Sequence, residues 1–279
     1  AGRRGRGRAV DRVRGELRAV TRGRKMRHAG RDTGHPGLGL KDGLQLETEV
    51  ISGVNAVREA FRACRRSFHE VFALQGNVEF WGRILVGHDV KVVEPRELDR
   101  IAGTTEHQGI AARVSRYRYA RLEDMDGFGC IVMLDSVEDP RNLGSAIRSS
   151  YALARAAVVI PEHRSARITP AVVRSSAGAV EHASVARVTN LRAAARTLRQ
   201  RGRWLVGLEA DAKDDIRSVP SYERIAIVVG GEDRGLRPVM RSELDLLVRI
   251  PMEASFNSLN LSQALGIALY ELVVRRNTP

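Results

Sequence analysis

Three short stretches of this chain bring together residue types able to do chemistry. In the first, Asp135-Ser136-Val137-Glu138-Asp139-Pro140-Arg141-Asn142-Leu143-Gly144 is followed a helical turn later by Arg148. The second is Gly230-Gly231-Glu232-Asp233-Arg234-Gly235-Leu236. The third is Pro251-Met252, then Ser258-Leu259-Asn260-Leu261-Ser262. Amide, carboxylate, hydroxyl and guanidinium groups gather there, and each also has an ordinary structural use. Asn142 can cap a helix, Asn260 with Gln263 fits a capping box, the glycines can serve turns, and Arg148 can be a surface charge. Several familiar chemistries are absent. The chain has no Gly-x-Gly-x-x-Gly after a strand, no Walker loop, no Gly-x-Ser-x-Gly elbow and no His-Glu-x-x-His. Its seven histidines have no ligand spacing and no metal is expected. Ordinary dinucleotide, nucleoside triphosphate, serine hydrolase and zinc readings lose their support.

The elements around these stretches alternate. Apolar runs at 130–134, 157–160, 185–188, 204–208, 225–229 and 246–250 read as strands. Helical patterns at 143–153, 170–177, 191–201 and 261–274 separate most of them. Continuous apolar strands alternating with helices imply an α/β fold with a parallel sheet covered on both faces. Ligands of such sheets bind beyond the carboxyl ends of the strands, which is where the three stretches fall.

Composition limits the rest. The two cysteines, Cys64 and Cys130, exclude a disulfide scaffold. Apolar runs of five residues fall short of the ~20 a membrane span needs, so a soluble, cytoplasmic protein without a membrane partner is expected. The net charge is +13, which points to a polyanionic partner, nucleic acid first. Residues 1–41 hold 11 Arg and 2 Lys against Asp11, Glu16 and Asp32, a surplus of ten. Rich in glycine and poor in large apolar residues, residues 1–46 read as a disordered basic tail. Residues 47–114 read as a small α/β domain, with helices near 56–65, 78–86 and 95–101 and strands near 68–74, 90–93 and 110–114. Residues 115–129 read as a linker, exposed or, through Arg116, Tyr117, Arg118, Tyr119 and Arg121, able to stack on bases. The large domain occupies 130–279.

Taken in order and spacing, Asn142-Leu143-Gly144 with Arg148, Gly230-Gly231-Glu232-x-x-Gly235, and Ile250-Pro251-Met252 with Ser258-Leu259-Asn260-Leu261-Ser262 resemble the three motifs of the SpoU family of RNA ribose 2′-O-methyltransferases. Ile51-Ser52-Gly53-Val54-Asn55-Ala56-Val57 and Glu106-His107-Gln108-Gly109-Ile110-Ala111 resemble the opening and closing segments of the substrate domain in the large-subunit rRNA guanosine branch.

The resemblance implies a trefoil-knotted α/β methyltransferase domain behind a small RNA-binding domain, working as a homodimer on large-subunit ribosomal RNA with S-adenosylmethionine as donor. It also assigns residues. Leu208, Gly230, Gly231, Ile250, Met252 and Leu259 would hold the donor. Arg148, Asn142, Glu232, Ser258 and Asn260 would surround the reacting oxygen. A guanidinium stays protonated in proteins, so Arg148 is read as a fork donor to the phosphate beside the target ribose. Glu232 would orient Asn142 or Arg148, and Ser258 and Asn260 would hold the loop and the substrate. A tRNA methyltransferase, a resistance-conferring rRNA methyltransferase and a non-catalytic ribosome-assembly factor are the alternatives.

Overall fold

Half-buried alternating segments in the front part of the chain and continuous apolar runs in the back part make two sheets of different kinds. The computed structural model describes residues 47–231, 235–253 and 259–277; residues 46 onward form one compact unit. The expectation of a disordered tail over 1–46 lies outside the described residues.

In the front part, β1 (Thr48–Ser52), α1 (Val54–Ala63), β2 (Phe68–Ala73), α2 (Val78–Ile84), β3 (Val90–Val92), α3 (Pro95–Ala102) and β4 (Ile110–Ser115) follow in order. The sheet order is β1-β4-β2-β3, with β4 antiparallel to both neighbours and β3 parallel to β2. Trp81, Leu85 and Ile110 fill the core beneath it.

The back part contains β5 (Cys130–Asp135), α4 (Pro140–Ala154), β6 (Ala157–Pro161), α5 (Pro170–Ser175), β7 (Val185–Val188), α6 (Leu191–Gln200), β8 (Trp204–Leu208), β9 (Asp214–Asp215), β10 (Ile225–Gly230), α7 (Pro238–Arg241), β11 (Leu246–Arg249) and α8 (Leu261–Leu269). Its strands are all parallel, in the order β7-β6-β5-β10-β8-β11-β9. Every residue of β5 and β10 is buried. The two-residue side-chain period explains why. Val132, Leu134, Ile227 and Val229 join Leu143, Ile147, Leu265 and Leu269 of α4 and α8 on one face. Ile131, Met133, Ala226 and Val228 join Leu191, Ala195 and Leu198 of α6 on the other.

The strand order also carries the crossing that a knotted chain needs. β11 lies between β8 and β9, both earlier in the sequence. The last strand is thus bracketed by the connection that joins β8 to β10, and α8 beyond it returns to pack on α4.

Within residues 115–129, Arg116, Arg118 and Arg121 are exposed, whereas the two tyrosines turn their rings to the protein. The Tyr117 hydroxyl donates to the Ala183 carbonyl at 3.1 Å, and the Tyr119 hydroxyl accepts from the Ile168 amide at 2.8 Å. Their rings meet edge to face at 5.3 Å, with Arg66 over Tyr117 and Arg187 over Tyr119. The aromatic faces are therefore engaged within the protein, because a tyrosine with a reachable carbonyl buries its ring and keeps its hydrogen bond. Nearby, Arg66 is buried against Glu181 at 2.7 Å and also reaches Glu49. His182 meets Glu59 at 3.1 Å. These contacts fasten the front sheet to the back one.

Candidate methyl-transfer cleft

Beyond the carboxyl ends of β8, β10 and β11 lies a cleft of about 340 Å³. Leu208, Gly230, Gly231, Ile250, Met252 and Leu259, the six residues expected to hold a donor, all line it. The walls are chiefly apolar side chains and bare backbone.

Two glycines make that backbone reachable. A Cβ on Gly230 would stand 2.0 Å from the Gly235 carbonyl carbon, and one on Gly231 would stand 2.4 Å from the Ser136 oxygen. The turn after β10 thus presses against its own return and against the turn after β5. Any side chain at either place would force the two turns apart. The return is closed by a hydrogen bond from the Gly235 amide to the Gly231 carbonyl at 3.0 Å.

The first and third stretches also meet. Asn260 Nδ2 donates to Asn142 Oδ1 at 3.2 Å across 118 positions of sequence. Asn142 is not the cap of α4. Asp139 is, accepting from the Arg141 amide at 2.7 Å ahead of Pro140 at the first helical position. The Arg141 side chain folds back on the same carboxylate and holds it below the usual carboxylate range. Asn260 does cap α8, accepting from the Ser262 amide at 2.9 Å and the Ser262 hydroxyl at 2.7 Å. The expected box with Gln263 is absent: the Gln263 amide bonds to the Asn260 backbone carbonyl.

Arg148 is exposed on α4. Six residues past Asn142, it stands about 9 Å further along the axis and about 120° around it. It makes no hydrogen bond or ion pair among the described residues. Glu232 and Ser258 lie outside the described residues.

Two carboxylates matter here: Glu209 escaped the sequence reading, and Asp135, which opens the first stretch, was given no role in it. Glu209, just past β8, accepts from the Leu236 amide at 2.7 Å and from Arg241 at 2.8 Å. Asp135, the fully buried last residue of β5, accepts from Arg237 Nε at 2.7 Å. Together they pin the connection from β10 to β11 against two strand ends, fixing one side of the cleft. The available signal was position: each acid is the first charged residue after an apolar run. Among the described residues, no cluster of His, Cys, Asp or Glu is placed to hold a metal, and no helix is long and apolar enough to cross a membrane.

Residues 129–270 match the model of the SpoU rRNA methylase family, and residues 50–120 match that of the RNA 2′-O ribose methyltransferase substrate-binding domain. The chain belongs to the SpoU rRNA methylase family. The 23S rRNA (guanosine-2′-O-)-methyltransferase RlmB of Xanthomonas campestris is 36% identical over 247 residues, covering 84% of this chain and 99% of that one. The protein of the same name from Nitrosomonas europaea is 42% identical over 183 residues, covering 64% of this chain and 70% of that one. The crystal structure of an AdoMet-bound rRNA methyltransferase from Sinorhizobium meliloti superposes with a TM-score of 0.71 at 26% identity, covering 84% of this chain and 88% of that one. Among SpoU proteins, then, this one shares both the catalytic and the substrate-binding part with its relatives.

Proposed function

We infer that this SpoU protein transfers the methyl group of S-adenosylmethionine to the ribose 2′-hydroxyl of a guanosine in 23S ribosomal RNA. The observation that carries this reading is a cleft lined from the carboxyl ends of β8, β10 and β11, with Asn260 beside it bonded to Asn142, in a chain of this family. Relatives named for 23S rRNA guanosine 2′-O-methylation support the substrate. The AdoMet-bound Sinorhizobium structure supports the donor. The cleft suits such a donor, because its walls are chiefly apolar side chains and backbone.

When bound, S-adenosylmethionine supplies a methyl group already activated on a cationic sulfur. The protein's contribution is orientation and electrostatics. Ile250, Met252 and Leu259 cover the apolar part of the donor and exclude water. The backbone of Leu208, Gly230, Gly231 and Ile250 hydrogen-bonds its polar edge. Asn142, held by Asn260, would face the target ribose; Glu232 and Ser258, outside the described residues, would act beside it. Arg148, with its guanidinium uncommitted among the described residues, forks onto the phosphate beside that ribose, and the hydroxyl proton leaves to the phosphate or to water. Leu153, Ile267 and Tyr270, exposed on α4 and its neighbour at the carboxyl end, supply an apolar face for a homodimer. The cytoplasm, where ribosomal RNA is found, is its place of action.

A Bacillus subtilis relative, 33% identical over 247 residues, carries a name that spans tRNA and rRNA, so both RNAs belong in the test. Calorimetry with S-adenosylmethionine, followed by mapping of 2′-O-methyl sites in cells with and without the protein, is expected to show donor binding and one guanosine site lost from 23S rRNA. Sites lost only from tRNA would replace the substrate, and failure to take up the donor would leave an RNA-binding factor. Arg148→Lys keeps the charge but loses the fork, and is expected to turn over at least tenfold more slowly; wild-type turnover would end the clamp account.

A further inference from the structure

A second cleft, of about 400 Å³, opens where the front sheet meets α5. Ser52 contributes from the end of β1, Asn55 from the first turn of α1, Glu106 and Gln108 from the loop before β4, and Arg174 from α5. Its donors are underused. Arg174 is half-buried, and its one hydrogen bond among the described residues runs to Ser52 Oγ at 3.4 Å. No carboxylate of the described residues comes within ion-pair distance of it. Gln108 spends its Oε1 on the Val54 amide at 2.9 Å, and Asn55 spends its Oδ1 on Arg58 at 2.8 Å. The amide NH₂ groups of both have no acceptor among the described residues. A guanidinium and two amide donors thus converge on one space, with the Glu106 carboxylate as the facing acceptor. Of these donors Arg174 is the half-buried one, and a half-buried charge with a single long hydrogen bond is costly; a ligand rich in acceptors would relieve that cost and also take up the two exposed amide donors.

The location says which ligand. Ser175, next to Arg174, donates through its hydroxyl to the Pro140 carbonyl at 3.1 Å. Pro140 opens α4 two residues before Asn142, so the cleft lies one helix away from the Asn142–Asn260 contact. An RNA strand leaving the methyl cleft toward the front sheet would cross this space. We propose that the cleft is a second RNA subsite, which holds a nucleotide flanking the target: its phosphate forks onto Arg174, and its ribose or base donates to Glu106. This inference rests on the RNA-methylation reading above. A phosphate contact of this kind positions the strand and carries little sequence information.

The test uses full-length protein and transcribed 23S rRNA, with Arg174→Gln, Arg174→Lys and Asn55→Asp. Asn55→Asp is exposed in the first turn of α1, where an acid suits the helix, so it threatens folding little while adding negative charge to the cleft. Arg174→Gln is expected to raise the KM for RNA about tenfold with kcat within twofold, and to reduce the slope of log Kd against log salt by about one. Asn55→Asp is expected to raise KM about fivefold, and Arg174→Lys to stay within threefold of wild type. S-adenosylmethionine binding should be unchanged in all three. Wild-type KM and salt slope in Asn55→Asp, together with either the same result or misfolding in Arg174→Gln, would overturn the subsite. Filter binding reads RNA affinity without turnover. A wild-type protein that binds 23S rRNA, weakens with Arg174→Gln, and yet transfers no methyl group would fail the enzymatic reading and keep the subsite.

Discussion

In the large-sheet part of the molecule, buried carboxylates are met by arginines that keep one side in water. Glu243 is 3% exposed but its partners Arg192 and Arg196 are 41% and 51% exposed. Asp135 with Arg237, and Glu209 with Arg241, follow the same plan. At the junction of the two sheets both members are sealed: Arg66 is 2% and Glu181 1% exposed. One nitrogen of Arg66 and one oxygen of Glu181 have no hydrogen-bond partner there. The titration behaviour separates accordingly. Hydrogen bonds from Arg196 and Arg192 hold Glu243 down to about 2. Burial pushes the Glu181 carboxyl up, against the pull of Arg66. The lesson is that an ion pair gains when one partner stays solvated and loses much of its Coulomb energy to desolvation when neither does.

The largest test is at the junction. Glu181→Leu leaves Arg66 buried with Glu49 and the Ser115 carbonyl as its remaining partners and should cost about 3 kcal/mol in urea unfolding. The Arg66→Met, Glu181→Leu double variant should recover most of that, because an apolar pair of similar volume has no charge to desolvate. A single variant costing less than the double would erase the contrast. At the cleft the weak point is shape. Gly230→Ala drives a methyl group into the Gly235 backbone and should weaken S-adenosylmethionine binding at least 100-fold in calorimetry, about 2.7 kcal/mol. Next in size, Asn142→Ala removes the acceptor that steadies Asn260. Turnover should fall about tenfold, about 1.4 kcal/mol, with donor affinity within twofold.

The smallest effect is in pH. Glu181 titrates higher in the folded protein than the ~4.3 of an unfolded glutamate. Its contribution is complete below that value and lost as pH rises through the folded one. Glu243 runs the other way: its contribution is complete above ~4.3 and lost as pH falls toward about 2. Urea midpoints of wild type against Glu181→Gln and Glu243→Gln, measured from pH 2 to 8, should diverge in opposite directions; parallel curves would contradict the comparison.

The same contrast explains what the sequence could disclose. Strands β5, β6, β8 and β10 were readable because a strand buried on both faces needs an unbroken apolar run. The cleft was readable for a related reason: its lining sits directly after such runs. β1, with the sequence Thr-Glu-Val-Ile-Ser, has too few apolar residues to stand out, and β9 has only two residues. The cap of α4 had a usable signal in Asp139-Pro140, which favours Asp139 over Asn142. The pairing of Arg66 with Glu181, 115 positions apart, had none. Periodicity reports which face is buried and is silent about which distant charge waits there. The engagement of Tyr117 and Tyr119 was illegible on the same ground, because they find their partners only after the two sheets dock.

The bracketing of β11 by β8 and β9 has a consequence for the protein's synthesis. A nascent chain stopped before residue 246 would already have the residues of six strands of the large sheet. It would lack Ile250, Met252, Leu259 and the Asn260 that reaches Asn142. A molecule stopped there cannot assemble this cleft.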